Sequence, residues 1–90
     1  MRFYDERPWG KMWKLLHLPW IWVKVIRVNG RTSLQYHETR TEYHLSLHGV
    51  RKVPPRKEHR LTKGWYLEIA VGTPKEEDIV RIEDDYGRVS

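Results

Sequence analysis

Four side chains in the middle of the chain have the types and spacing of metal ligands. Gln35 and His37 stand two residues apart, so in a β-strand both side chains point to the same side. Glu42 opens a second alternating run after a four-residue link, and His59 follows a proline-rich turn. An amide oxygen, a carboxylate and two imidazoles suit a divalent ion such as zinc, manganese or iron. The first hypothesis is therefore a metal centre formed by Gln35, His37, Glu42 and His59.

Two further groups could do acid–base chemistry beside that centre. The run 42–48 alternates, so His44 shares a face with Glu42. Lys24 shares the face of strand 20–28 that we expect to point inward. Imidazole titrates near neutral pH, which suits a general acid or base. His44 and Lys24 are candidate catalytic residues, and the alternatives are a packed core histidine and a lysine whose stem lies on apolar surface.

Short β-strands are the elements that must position these groups. Alternating or β-branched and aromatic sequence, bounded by Gly, Pro or Asn, predicts strands at 12–16, 20–28, 31–37, 42–48 and 65–71. Asn29-Gly30 is a strong hairpin signal, which predicts that residues 31–37 fold back on 20–28. Residues 75–90 are highly charged and are expected to add a short extended or turn segment. No helical period extends beyond one turn, so the pattern favours an all-β domain.

The composition limits size, compartment and partners. Ninety residues predict one small domain, residues 1–90, with a thin core that oligomerisation would stabilise. The lack of cysteine excludes disulfides and thiolate metal sites. The start of the chain has no signal-peptide pattern, and no apolar run approaches the ~20 residues that span a bilayer. We therefore expect a cytoplasmic protein without membrane association.

The charge balance favours an anionic partner. The net charge is +5 and the isoelectric point is near 9.7, which suits a phosphorylated sugar, a nucleotide or a nucleic acid. The basic residues are spread along the chain, and no nucleic-acid-binding motif is present. We therefore expect a small-molecule ligand and no nucleic acid.

The spacing of the candidate ligands resembles the motifs of the cupin superfamily. Gln35-x-His37, then Glu42, then Gly49 keep the intervals of the first cupin motif. The proline-rich turn 54–59, which ends in a histidine, resembles the second motif. The resemblance implies a small jelly-roll-like β-barrel with a metal at its centre.

Within that superfamily, the likeness is to the cupin region of type II mannose-6-phosphate isomerases. That group is similar to this chain in its Ser-Leu-Gln-x-His run, residues 33–37, and its Arg-x-Glu, residues 40–42. Two flanking signatures agree, at residues 7–10 and 78–88. Only residues 50–53 join the two motifs, so the resemblance implies a barrel reduced by loss of the inter-motif hairpin. An open barrel exposes a strand edge, and we expect a homodimer that completes its sheets across the interface.

The resemblance also implies a function and further site residues. It points to a metal-dependent sugar-phosphate isomerase that interconverts mannose 6-phosphate and fructose 6-phosphate. Arg40 and Arg81 match family positions and would bind the phosphate, and Lys24 matches a family lysine. Zinc is the first choice of ion, with manganese, iron, nickel or cobalt as alternatives.

Other functions remain open from the sequence. The main alternative is a non-catalytic cupin that binds a sugar or another small ligand through its metal, because catalysis needs a water-shielded pocket. A metal-dependent oxygenase is less favoured, since iron oxygenases use more imidazole ligands. A nucleic-acid module is the most distant alternative.

Overall fold

The fold is built from antiparallel β-strands, as the sequence pattern predicts. The computed structural model describes residues 4–75 and 79–84. Within these residues the chain has eight strands and no helix. They are β1 (Tyr4–Arg7), β2 (Gly10–Leu18), β3 (Ile21–Arg31), β4 (Leu34–His37), β5 (Arg40–Ser46), β6 (Gly49–Val53), β7 (Thr62–Gly72) and β8 (Ile79–Glu83). In this part of the chain no helix is long and apolar enough to cross a membrane.

The strands form one large sheet and one small sheet. The large sheet has the order β1-β2-β3-β7-β5-β6, and the small sheet pairs β4 with β8. All the pairings are antiparallel. The two sheets do not close into a complete barrel, so the predicted all-β, open and barrel-like architecture is confirmed.

Strict alternation of buried side chains in β3 and β5 gives the large sheet an inner face. In β3 every second side chain is buried, from Trp22 to Val28, and in β5 the same holds from Arg40 to His44. The apolar core at one end of this face consists of Met12, Ile26, Val28 and Leu61, with Trp9 and Tyr66 packed against it. The buried side chains of β5 are polar, so the inner face changes from apolar to charged along the sheet.

The predicted hairpin at Asn29-Gly30 is wrong. β3 continues through both residues to Arg31, and it pairs with β2 on one side and β7 on the other. A type I′ turn needs positive φ at both central residues, and neither Asn29 nor Gly30 has it. The backbone N–H of Asn29 instead donates to the carbonyl oxygen of Trp9, at 2.8 Å. Since both edges of β3 are occupied, β4 pairs with β8 instead.

Two further segments differ from the sequence prediction or refine it. Residues 50–53, expected to be a simple link, belong to strand β6 and form a hairpin with β5. The expected short extended segment near the C-terminus is β8, and it pairs with β4. Residues 76–78 and 85–90, which include parts of the C-terminal signature at 78–88, lie outside the described residues.

Candidate metal centre

The four predicted ligands come from three neighbouring segments. Gln35 and His37 lie on β4, Glu42 lies on β5, and His59 follows the proline-rich turn. Backbone hydrogen bonds tie the turn to β4: Gln35 N–H donates to His59 O at 3.0 Å, and His59 N–H donates to Gln35 O at 2.7 Å. Arg56 N–H also donates to His37 O at 2.7 Å. These bonds fix the distance between the segments that carry the two imidazoles.

The carboxylate of Glu42 is the centre of the cluster. Its Oε2 lies 3.3 Å from His37 Nε2. Its Oε1 lies 3.1 Å from His44 Nε2 and 3.2 Å from His59 Nε2. Glu42 and all three histidines are buried. Three imidazole nitrogens therefore converge on one buried carboxylate.

These distances suit coordination of a divalent ion. Ligand atoms of His37, Glu42 and His59 all lie within 4.8 Å of one another. Two ligands that are each about 2.1 Å from an ion, at tetrahedral or octahedral angles, are themselves about 3.0–3.4 Å apart. Gln35 Oε1 is buried, and it has no hydrogen-bond partner among the described residues. This buried cluster could hold a metal ion, with the Gln35 oxygen beside it as a further donor.

The orientation of His59 favours coordination through Nε2. Its Nδ1 lies 3.3 Å from the carbonyl oxygen of Lys57, which can only accept, so Nδ1 carries the proton. Its Nε2 faces Glu42 Oε1 at 3.2 Å. At this distance either a hydrogen on Nε2 or a bound cation lies between the two atoms. A carbonyl that orients the far ring nitrogen is also the usual support of a metal-ligating histidine.

Arg40 contacts two of the predicted ligands. Its Nη2 lies 2.7 Å from His37 Nδ1, and its Nε lies 3.3 Å from Glu42 Oε2. Arginine only donates, so His37 Nδ1 accepts and the neutral His37 ring carries its proton on Nε2. Coordination through His37 Nε2 would move that proton to Nδ1 and displace the guanidinium. Arg40 thus supplies positive charge next to the Glu42 carboxylate.

The electrostatics of the cluster shift the pKa values of two buried carboxyl groups, Glu42 and Glu68, in opposite directions. Burial alone would raise the pKa of Glu42, but hydrogen bonding with His37, His44, His59 and Glu68 holds this pKa well below its usual range. Burial and the negative charge of Glu42 raise the pKa of Glu68 well above its usual range, against the opposing charges of Lys24 and Arg40. Burial lowers the pKa of His37, although Glu42 opposes the shift. Glu68 therefore binds its proton more tightly than Glu42 does.

Glu68 is the site residue that the sequence reasoning missed. It is buried on β7, directly opposite Lys24 of β3 on one side and His44 of β5 on the other. With Glu42 and His44 it forms a second group of closely spaced ligand atoms. Alternation within the predicted strand 65–71 would have placed Glu68 on the same face as Ala70. The sequence carried no indication that this face is the one next to Glu42.

All the predicted site residues line one cavity of about 90 Å³. The candidate acid–base groups Lys24 and His44 are buried in its wall, beside the proposed ligands. Arg81 of β8 lines it too, and its backbone lies opposite Gln35. The structure thus brings together Lys24, Gln35, His37, Arg40, Glu42, His44, His59 and Arg81. The individual roles assigned to these residues stay predictions.

Comparisons with protein-family models, with curated proteins and with solved structures found no match. The case for function therefore depends on the geometry and chemistry of the cavity.

Proposed function

We propose that this protein binds a divalent metal ion through His37, Glu42 and His59, with the Gln35 amide oxygen as a fourth ligand. The observation that carries the proposal is the convergence of His37 Nε2 and His59 Nε2 on the buried Glu42 carboxylate, at 3.3 and 3.2 Å. A bound cation would replace these contacts with coordination by all three groups. The ion would act as a Lewis acid that polarises a ligand oxygen.

The donor set supports zinc as the first choice of ion. Two imidazoles, one carboxylate and one amide oxygen give a mixed nitrogen and oxygen set, which zinc accepts readily. The same set also suits manganese, iron, nickel or cobalt, because carboxylate and amide oxygens are acceptable to all of them. Competition between these ions at equal concentration would rank their affinities for the site.

Direct metal analysis tests the proposal. The protein, stripped with chelator and reloaded with zinc, is expected to retain about one ion per chain after desalting. Glu42→Gln keeps the shape of the side chain but removes the anionic ligand, so its metal content should fall to background. The matched control is Glu38→Gln, which removes an exposed carboxylate next to His37 and should keep the wild-type content.

The number of metal ions bound per chain shows whether the ligand assignment is correct. Far-UV circular dichroism would show that the Glu42→Gln variant retains its β-structure. Equal metal content in a folded Glu42→Gln variant and in the wild type would refute the ligand assignment. A wild-type protein that retains no ion would refute the metal centre as a whole.

A second candidate function is aldose–ketose isomerisation of a sugar phosphate by a cupin-like domain. The observation that favours it is the row of Lys24, Glu68 and His44 across three adjacent strands, all buried beside the proposed metal ligands. An isomerase must take a proton from one carbon and return it to the next, and groups of this kind can move it. Arg40 and Arg81 would hold the phosphate in this function.

Turnover separates this candidate from a non-catalytic binder. The isomerase predicts interconversion of mannose 6-phosphate and fructose 6-phosphate that chelator abolishes and metal restores. His44→Asn should slow it by about 10²-fold or more if His44 moves the proton. A binder would instead show ligand-dependent thermal stabilisation without any product.

A further inference from the structure

The face of the large sheet that points away from the proposed metal centre, here called the outer face, is apolar. In β3 the side chains that alternate with the buried ones point to this face. Residues directly opposite each other in an antiparallel pair share a face, so the strand register extends it to β7 and β5. Its centre consists of six aliphatic side chains: Val23, Val25, Leu45, Leu67, Ile69 and Val71. All six remain partly exposed, whereas their neighbours on the inner face of β3 are buried.

The turn between β2 and β3 adds further apolar side chains at one end of the outer face. Residues 15–23 contain no charged side chain, although 32% of the chain is charged. Trp20 in this turn is 60% exposed, and Leu18 at the end of β2 is exposed as well. Leu18 lies opposite Ile21, which in turn lies opposite Val71, so the hairpin continues the apolar surface. Contiguous exposed apolar surface of this kind marks an interaction site.

Cationic side chains flank the apolar part of the outer face. Register and alternation place four of them there: Lys11, Arg27, Lys52 and Lys63. Lys11 and Arg27 lie directly opposite each other, and Arg27 lies over the ring of Trp65 at 5.1 Å. Among the described residues that register places on this face, Glu6, opposite Lys11, is the only carboxylate. The outer face is therefore apolar at its centre and positively charged around it.

An anionic lipid bilayer is complementary to both properties of the outer face. Aliphatic and tryptophan side chains enter the boundary between headgroups and acyl chains, and lysine and arginine attract anionic headgroups. The central strands β3 and β7 are paired on both sides, so they present no unpaired strand edge to the lipid. A second copy is less complementary, because two such faces in contact would bring like charges together.

We propose that the outer face and the tip of the β2–β3 hairpin bind the surface of an anionic lipid bilayer. Trp20 and Leu18 enter the acyl boundary, and Lys63 lies at the headgroups. The expectation from the sequence that the protein has no membrane association considered only signal peptides and segments long enough to span a bilayer. Surface binding needs neither of them, and it does not depend on the metal centre, which lies on the other side of the sheet.

Flotation of the full chain with lipid vesicles tests the proposal. One vesicle type contains only phosphatidylcholine, and the other contains phosphatidylcholine and phosphatidylserine at a ratio of about two to one. We expect at least about tenfold tighter binding to the mixed vesicles in about 0.1 M salt, and weaker binding in about 0.5 M salt because ions screen the attraction. Equal binding to both vesicle types, or binding to neither, would overturn the proposal.

A pair of apolar variants locates the bound surface. Trp20→Ser should weaken binding to the mixed vesicles at least about tenfold, because the tryptophan no longer leaves water on binding. Ile82→Ser removes an apolar side chain of similar kind from the small sheet, where Ile82 is 38% exposed, and should bind as the wild type does. Equal losses in the two variants would show that the hairpin is not the part that binds lipid.

A pair of lysine variants separates the outer face from the net charge of the chain. Lys63→Gln should weaken binding to the mixed vesicles about fivefold. Lys57→Gln removes the same charge from the exposed proline-rich turn and should have little effect. Equal losses in both variants would show attraction by net charge alone and would overturn the assignment to the outer face. The comparison of the two vesicle types uses only wild-type protein, so it stays decisive if a variant fails to fold.

Light scattering without lipid tests the competing occupant, a second copy of the chain. We expect the oligomeric state of the protein to be unchanged by Trp65→Lys, which adds a charge on the outer face. Dissociation of a wild-type dimer by this substitution would assign the outer face to a second copy and would overturn the proposal.

Discussion

A single carboxyl group, that of Glu68, is held in three directions by ionisable neighbours. It lies between Lys24 and His44 in register and hydrogen-bonds with Glu42. Burial, followed by the charge of Glu42, raises its pKa well above the usual range. The native protein therefore keeps the Glu68 proton at pH values where the unfolded chain has released it.

The sign of the resulting pH dependence follows from this difference. The stability contributed by a protonated Glu68 is fully present below the pKa of the unfolded chain, near 4.5. It is lost as the pH rises towards the raised folded pKa. Glu42 behaves oppositely, because folding lowers its pKa. Its contribution to stability is present above the unfolded pKa of 4.5 and is lost as the pH falls through the lowered folded pKa.

Glu68→Gln should therefore gain stability relative to the wild type as the pH rises from 5 to 8. Glutamine keeps a donor for Glu42 and has no proton to lose. Relative to wild type, the variant gains about 1.4 kcal/mol in free energy of unfolding for each unit by which folding raises the pKa of Glu68. Urea denaturation at several pH values, with chelator present, measures it. Glu38→Gln is the exposed control, and a difference between Glu68→Gln and wild type that does not change with pH would contradict the argument.

Local spacing was enough to predict much of the site. Gln35 and His37 share a strand face by simple alternation, and Glu42 and His44 do the same. Glu68 could not be found this way, because its place depends on the pairing of β7 with both β3 and β5. The contact of Arg40 with His37 was also beyond prediction, since a long side chain can point in several directions from the same backbone.

Among the strands, the pairing of β2 with β3 depends on a glycine at one position. Gly10 lies opposite Val28, and an added Cβ would overlap the carbonyl oxygen of Arg27. Gly64 lies opposite Val28 on the other side, with a similar φ, but its added Cβ would have only ordinary contacts, the nearest at 3.8 Å to Tyr66. The two glycines therefore form a matched pair that differs mainly in the space available.

Gly10→Ala is expected to destabilise the protein by about 3 kcal/mol or more, because backbone must move to accept the methyl group. Gly64→Ala should cost about 1 kcal/mol, which reflects the unfavourable φ alone. Chemical denaturation of both variants measures the difference. Equal losses would show that the close approach of β2 to β3 at Gly10 is relieved at little cost.

Strand identity was easier to predict than strand pairing. The runs 20–28, 42–48 and 65–71 all contain observed strands, because β-branched and alternating sequence is a local property. Which strands pair is decided by competition among all the available strand edges. Asn29-Gly30 favours a local hairpin, yet pairing β3 with β2 and β7 buries Val28 and Ile26 in the core. Tertiary burial thus outweighed the turn preference.

At the scale of the whole molecule, the open sheet exposes backbone at its ends. In the described part of the chain, β6 forms one edge of the large sheet and pairs only with β5. Its Val50 side chain is 68% exposed, and Leu47 in the adjoining turn is fully exposed. The edge also carries Arg51 and Lys52, but its unpaired backbone and exposed apolar side chains still offer a template for pairing with another chain. A second copy of this protein is the partner that we expect, since a 90-residue domain has a thin core.

Val50→Lys tests this assembly. We expect wild-type protein to be a dimer at micromolar concentration, and the variant to dissociate at least about tenfold more readily, because a charge at an edge discourages pairing. Its thermal stability as a monomer should change little, since Val50 is largely exposed in its own chain. Trp65→Lys adds the same charge on the outer face of the sheet, where Trp65 is 54% exposed, and should leave the dimer intact. Multi-angle light scattering distinguishes the outcomes: dissociation by Trp65→Lys alone would move the interface to the sheet face, and a wild-type monomer would refute the dimer.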